Sequence, residues 1–191
     1  MPHIHTNPGD HDTTVSSLII RTDHSDGEPR MMLHMHRKLN VYMQFGGHVE
    51  ANENPWQALA HELREESGYN IAQFKIAQPK FTINRISQAI QHPLPVTINT
   101  HSISKAEADH FHTDSLYLLV TNQEPEGSPA DGESEDIVLL TQGEIQNLED
   151  RLIFPGTRDI ALFCFKGFYL SQWDLVETIE FSQDQPPTTA P

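Results

Sequence analysis

The stretch GGHVEANENPWQALAHELREESGYN, from Gly46 to Asn70, decides how the chain is read. Asn54 can cap a helix through its side-chain oxygen. Pro55 suits the first helical position, where its missing N–H would be unpaired anyway, and Gly68 suits the left-handed residue that closes a helix. The spacing therefore predicts a helix over residues 55 to 67. Trp56, Leu59 and Leu63 form one apolar seam for packing on a sheet, and Tyr69 can fold back on Leu63. Glu62 and Glu66 lie one turn apart beside that seam, with Glu65 slightly around the cylinder. The seam leaves Glu62 and Glu66 facing a rim that Ala58, one turn earlier, keeps open.

Carboxylates so placed repel one another, which leaves two readings. In one, the helix presents an ordinary solvated acidic face and Ala58 is simply a good helix former. In the other, a divalent cation turns the repulsion into attraction and brings phosphate chemistry within reach.

Strands flank this helix. Val15 to Ile20 is a buried strand by composition, Asp23 to Pro29 a turn, and residues 30 to 36 a second strand with Leu33 and Met35 on one face and His34 and His36 on the other. Val41, Met43 and Phe45 continue the alternation into the glycines. Extended stretches are expected around 70 to 78 and 81 to 91. His110, His112 and Asp114 share one face of a further strand that runs into the central-strand pattern Leu116 to Val120. Residues 122 to 136 read as an exposed acidic loop, 137 to 140 as a short strand, and 142 to 150 and 157 to 168 as helices, the last packing through Ile160, Phe163 and Phe168. The architecture is mixed α/β. Residues 1–12 are expected to form a flexible arm, 13–182 a single domain and 183–191 a disordered tail.

With 27 acidic against 12 basic residues in 191, the chain has a formal charge of -15, which disfavours binding a nucleic-acid backbone. A phosphorylated ligand would be repelled unless cations or a basic patch reversed the local field. Arg37 and Lys38 beside His34 and His36 are candidates, with Lys80, Arg85, Arg151 and Arg158 more distant; each also reads as plain surface charge. The single cysteine, Cys164, lies in an apolar run and reads as a buried structural thiol suited to a reducing compartment. No secretory signal or membrane span is visible, so a cytoplasmic location is the expectation.

The pattern Gly47-x5-Glu53-x7-His61-Glu62-Leu63-x-Glu65-Glu66-x-Gly68-Tyr69 closely resembles the signature of the Nudix hydrolases. One fixed position departs from it: His61 stands where the family has arginine. The resemblance implies an α/β/α sandwich with a mixed sheet, and a Nudix-type phosphoanhydride hydrolase that cleaves a nucleoside diphosphate linked to another group. It implies Mg2+ or Mn2+ held by Glu62, Glu65, Glu66 and a backbone carbonyl near Gly47, with Glu62 also the general base in some members. Glu53 supports the loop or the metal in the family, or acts here as helix N-terminal electrostatics. Hydrolysis of a nucleoside triphosphate, or nucleotide binding without turnover, are the alternative activities.

His61 has fewer donors than arginine and titrates near neutrality. It lies one turn before Glu65, where either a bond to that carboxylate or a tolerated substitution at a half-exposed site fits. The first reading predicts activity that depends on pH more than in arginine-bearing relatives.

A more local likeness, in Gln44-x-Gly46-Gly47-His48-x-Glu50 and His110-x-His112-x-Asp114, is to a bacterial subgroup acting on nucleotides. His34, His36, Arg37, His110 and His112 are then candidates to line the nucleotide or phosphate side of a cleft, or else lie on a solvent face. The expected partner is a small-molecule nucleotide, with no nucleic acid and no membrane, on a monomer or homodimer.

Overall fold

A computed structural model describes residues 7, 9–83, 86–103 and 110–181. In chain order its elements are β1 (His11–Arg21), β2 (Arg30–His36), β3 (Val41–Met43), β4 (Phe45–His48), α1 (Pro55–Ser67), β5 (Lys75–Pro79), β6 (Thr97–Ile103), β7 (His110–Thr121), β8 (Ile137–Leu140), α2 (Gln142–Asn147), α3 (Pro155–Tyr169) and β9 (Trp173–Glu177). Short 3-10 turns at Ile71–Gln73 and Thr178–Glu180 complete them.

The sheet is organised by β1 and β7, which run parallel from His11 opposite Phe111 to Arg21 opposite Thr121. Among the described residues it has nine strands in the order β3-β2-β1-β7-β5-β9, with β4 also pairing with β1, β6 with β7 and β8 with β2. Alternation along β1 feeds two cores. Val15 and Ile19 join Phe45, Trp56, Leu59, Leu63, Tyr117 and Leu119 beneath α1. Leu18 and Ile20 join Leu116, Leu118, Ile145, Ala161 and Phe165 beneath α2 and α3. The near-continuous apolar runs of β1 and β7 are thus the mark of strands covered on both faces, and the result is the expected α/β/α layering.

Helix α1 has the expected ends. The Asn54 side chain accepts from the Trp56 and Gln57 N–H groups at 3.0 Å each, and the Gln57 side chain accepts from the Asn54 N–H at 2.9 Å. Gly68 closes the helix with φ 73°. Tyr69 is fully buried and its hydroxyl accepts from Arg21 at 2.8 Å. Arg21 also pairs with Asp23 and with Glu124, at 2.5 and 2.7 Å, so one buried guanidinium ties the exit of α1 to the ends of β1 and β7.

Several expectations are corrected. Ala58 is fully buried in the core and opens no rim. The described part of residues 81 to 91 contains no strand, whereas two edge strands that lack a clean apolar alternation, β6 and β9, escaped the sequence pattern. Strand β1 starts at His11, inside the stretch 1–12, and pairs along its whole length with β7. Helix α3 starts at Pro155, which fits a first helical position as Pro55 does, and α2 stops at Asn147. Phe163 is 52% exposed; the buried stripe of α3 is Thr157, Ala161, Cys164 and Phe165, with Ile160 and Phe168 half-buried beside it. Cys164 is buried as expected, and burial pushes its thiol up to about 12. Arg85, the tail and most of the N-terminal arm lie outside the described residues. Among those described, no helix is long and apolar enough to cross a membrane.

The capping geometry sets two stabilities. Asn54→Ala should lower unfolding free energy by about 1 kcal/mol. Gly68→Ala should cost more, because its Cβ would lie 2.5 Å from the Gly127 backbone in addition to the left-handed strain. Denaturant unfolding of the two variants checks the order.

Candidate active site

The turn into α1 and the helix itself meet at two glycines. Gly46 has φ 146°, and a Cβ there would lie 2.1 Å from the Val15 carbonyl oxygen. A Cβ on Gly47 would lie 2.2 Å from Glu62 Oε1. The strand can therefore approach β1 so closely only with glycine at 46, while a side chain at 47 would displace the Glu62 carboxylate from its place. The Gly46 N–H donates to Glu66 Oε2 at 2.6 Å.

Glu62 is 4% exposed, and its Oε1 has no hydrogen-bond partner among the described residues. Burial pushes its carboxyl up to about 7; His61 pulls the other way, and Glu65 and Glu133 add to the rise. Glu66 is pushed well above the ordinary carboxylate range, first by burial, against the Gly46 bond, with Glu62 and Glu133 contributing. Two crowded carboxyls, one of them with an unpartnered buried oxygen, are a donor set that fits a hard dication such as Mg2+ or Mn2+.

Glu65 points elsewhere. Its side chain is 44% exposed and accepts from or shares a proton with His61 Nε2 at 3.0 Å, while His61 Nδ1 lies 3.8 Å from Glu53 Oε2. His61 thus spans two carboxylates, one ring nitrogen to each. Burial lowers its pKa, but the Glu65 bond and the fields of Glu65, Glu62 and Glu53 outweigh that and raise it. Glu53 also accepts from the Glu50 N–H at 3.0 Å, bracing the loop ahead of α1.

The candidate histidines divide between the two faces of the sheet. His34 is buried against Phe45, with ring centroids 4.8 Å apart, and its Nε2 is 3.9 Å from Glu66 Oε1. Burial, with His36 adding to it, pushes His34 down to about 4, so it is neutral at pH 7. His36 accepts from the Leu39 N–H through Nδ1 at 3.2 Å, and exposed Arg37 donates to the Gly132 carbonyl. That contact brings the tip of the 122–136 loop toward the β2–β3 turn. Glu133, next to it, is the loop acid whose charge reaches both Glu62 and Glu66.

His110 and His112 lie on the other face. Gly47 is opposite Val15, which packs under α1, whereas His48 is opposite Thr14 and faces away from α1. Thr14 and Ser16 hydroxyls donate to Asp114 at 3.0 and 2.6 Å, which fixes His110, His112 and Asp114 to that same side. Asp12 and His48, unremarked in the sequence, join them there. Asp12 fell in a stretch read as loose, and His48 was read only as part of the glycine turn.

No protein-family model matches the chain, and no curated protein sequence matches it. Solved structures do. A Nudix-family hydrolase from Clostridium perfringens superposes with a TM-score of 0.66 at 25% identity, covering 82% of this chain and 97% of that one. An Ap4A hydrolase from C. elegans, in a binary complex, gives 0.54 at 15% identity, covering 84% and 98%. The Nudix domain of Shewanella oneidensis NrtR, crystallised with ADP ribose, gives 0.54 at 13% identity, covering 82% and 88%. The layered sheet, with its glycine turn leading into a carboxylate-bearing helix, has the fold of the Nudix hydrolases.

Proposed function

We propose that this chain is a divalent-cation-dependent hydrolase of the Nudix class that cleaves the diphosphate linkage of a nucleoside diphosphate or its derivative. The observation that carries the reading is Glu62, buried against Gly47 with Oε1 unpartnered among the described residues, one turn from Glu66, which accepts the Gly46 N–H. The C. elegans and Shewanella neighbours, an Ap4A hydrolase and a domain seen with ADP ribose, support a nucleotide substrate.

Glu62, Glu66 and the backbone at Gly47 would hold the cation, while Glu65, paired with His61, would join them only by turning from that partner. Mg2+ or Mn2+, when bound, supplies charge neutralisation for the diphosphate and Lewis-acid polarisation of its oxygens. Glu62, beside the cation, would take the proton from an attacking water. The water oxygen bonds to phosphorus as the bridging P–O bond breaks, giving a nucleoside monophosphate and a phosphorylated product. His61 holds Glu65 and Glu53 in place, as a charged partner for two acids. His34 and Arg37 border the side of the helix where the phosphates would lie.

Glu66→Gln should lower turnover on the best substrate of a nucleotide panel by about a hundredfold, equivalent to roughly 3 kcal/mol of lost transition-state stabilisation. Product analysis separates the reactions: monophosphate plus inorganic pyrophosphate from triphosphates would replace the diphosphate reading, and absence of cation-stimulated turnover would remove it.

In chelator, the raised Glu62 carboxyl should make stability depend on pH. The proton-linked stabilisation is full below the ordinary value of 4.5 and is lost as pH rises through about 7. Tm should therefore fall between about pH 5 and 8, less so in Glu62→Gln, and Mg2+ or Mn2+ should restore it at the alkaline end. A flat profile in chelator counts against the buried carboxyl.

Because the His61 pKa is raised above 6.5, its cationic form persists to higher pH than that of an ordinary imidazole before it is lost. Activity should decline on the alkaline side, and His61→Arg should flatten that decline. A rate already flat from about pH 6 to 9 at saturating metal removes the role assigned to His61.

A further inference from the structure

The face of the sheet opposite α1 carries a second convergent donor set, and it is rich in nitrogen. Among the described residues, Asp12, His110 and His112 each offer a ligand atom within 4.8 Å of the others. His48 Nε2 lies 3.5 Å from Asp12 Oδ2 and 3.3 Å from His112 Nε2. Asp12 and His110 are 1% and 2% exposed and His48 is 8% exposed, so the cluster is built into the rim of the sheet and is not a loose surface patch.

We propose that Asp12, His48, His110 and His112 form a structural site for a zinc-class transition-metal dication, separate from the carboxylate site on α1. In a tetrahedral zinc site with Zn–N and Zn–O near 2.0–2.1 Å, neighbouring ligand atoms are about 3.3–3.5 Å apart. The two measured separations from His48 Nε2 fall in that range.

The donor types select the metal. Three imidazoles and one carboxylate favour zinc and its first-row neighbours over Mg2+, which prefers oxygen and keeps several waters. With Asp12, His110 and His112 as the convergent set and His48, which approaches Asp12 and His112, as the fourth ligand, no open position would remain, which is the mark of a structural site. Strand register brings it together: Asp12 is opposite His112 across the parallel β1–β7 pair, and His48 arrives on β4 from the other side of β1. His101 on β6, with its ring 5.7 Å from that of His112, and Asp114, held by Thr14 and Ser16, border the site without being needed as ligands. The metal would clamp β4, β1 and β7 together. His48 follows Gly47, whose backbone meets Glu62 on the opposite face, so the clamp would hold from behind the strand that feeds α1.

The test uses the untagged full-length chain, stripped with chelator and dialysed against zinc. Metal analysis should find about one tightly held zinc per chain that excess Mg2+ does not displace, and Tm should rise by about 5–10 °C at zinc a hundredfold above its Kd. Asp12→Asn combined with His112→Gln should abolish both effects, while Glu62→Gln combined with Glu66→Gln should keep both. Co2+ substitution of the unaltered chain, read by its visible absorption, reports tetrahedral nitrogen and oxygen coordination even if the Asp12 and His112 variant fails to fold. Less than about a tenth of an equivalent of zinc, zinc retained by a folded Asp12/His112 variant, or zinc lost from the Glu62/Glu66 variant would each overturn the proposal. Because the readouts are metal content, Tm and spectrum, the result is independent of whether nucleotides are hydrolysed.

Discussion

Gly46 and Gly47 carry β4 into a space that no side chain can share. One side of this short strand presses on the carbonyl of Val15, and the other on the carboxylate of Glu62. Through that approach the Gly46 N–H reaches Glu66, the helix is held at a fixed height above the sheet, and Phe45 fills the core beneath it. A methyl group at Gly46 would push β4 away from β1, and one at Gly47 would displace the Glu62 carboxylate, so either would change the surroundings that set the proton affinity of the site.

Three of the chain's 27 acidic residues meet at the candidate site. Glu62 and Glu66 are buried close together, Glu133 approaches from the loop, and the acidic character of the region is opposed by few cations. His61 supplies part of the balance by standing between Glu53 and Glu65. It does so with one ring nitrogen to each acid, where an arginine would offer a fork of five donors and a charge independent of pH. His34 lies beside Glu66 but is neutral, so it offers polarity without charge.

Local rules made much of this legible. The Asn54 cap, the Pro55 start and the Gly68 stop lie within a few residues of one another, and each acts through its own backbone geometry, so α1 could be placed to the residue. β7 was equally plain because both its faces are covered. What escaped depends on distant partners. β6 and β9 are edge strands whose polar composition resembles a loop until β7 and β5 pair with them. The face on which a histidine lands depends on the register between β1, β4 and β7, which no spacing within one segment reveals. His34 and His110 looked like members of one set and were separated by the thickness of the sheet.

The loop from 122 to 136 was read as exposed, and most of its side chains are, yet its backbone is sewn to α1. The Gly127 N–H donates to the Gly68 carbonyl at 3.0 Å and the Ala130 N–H to the Glu65 carbonyl at 2.7 Å. Sequence drift is therefore cheap at the outward-facing acids of this segment, whereas its length between the two stitches is constrained. An inserted residue there would tug on the terminus of the carboxylate-bearing helix, so diversification of this loop is expected to proceed by replacement, with insertions accommodated outside residues 127 to 130.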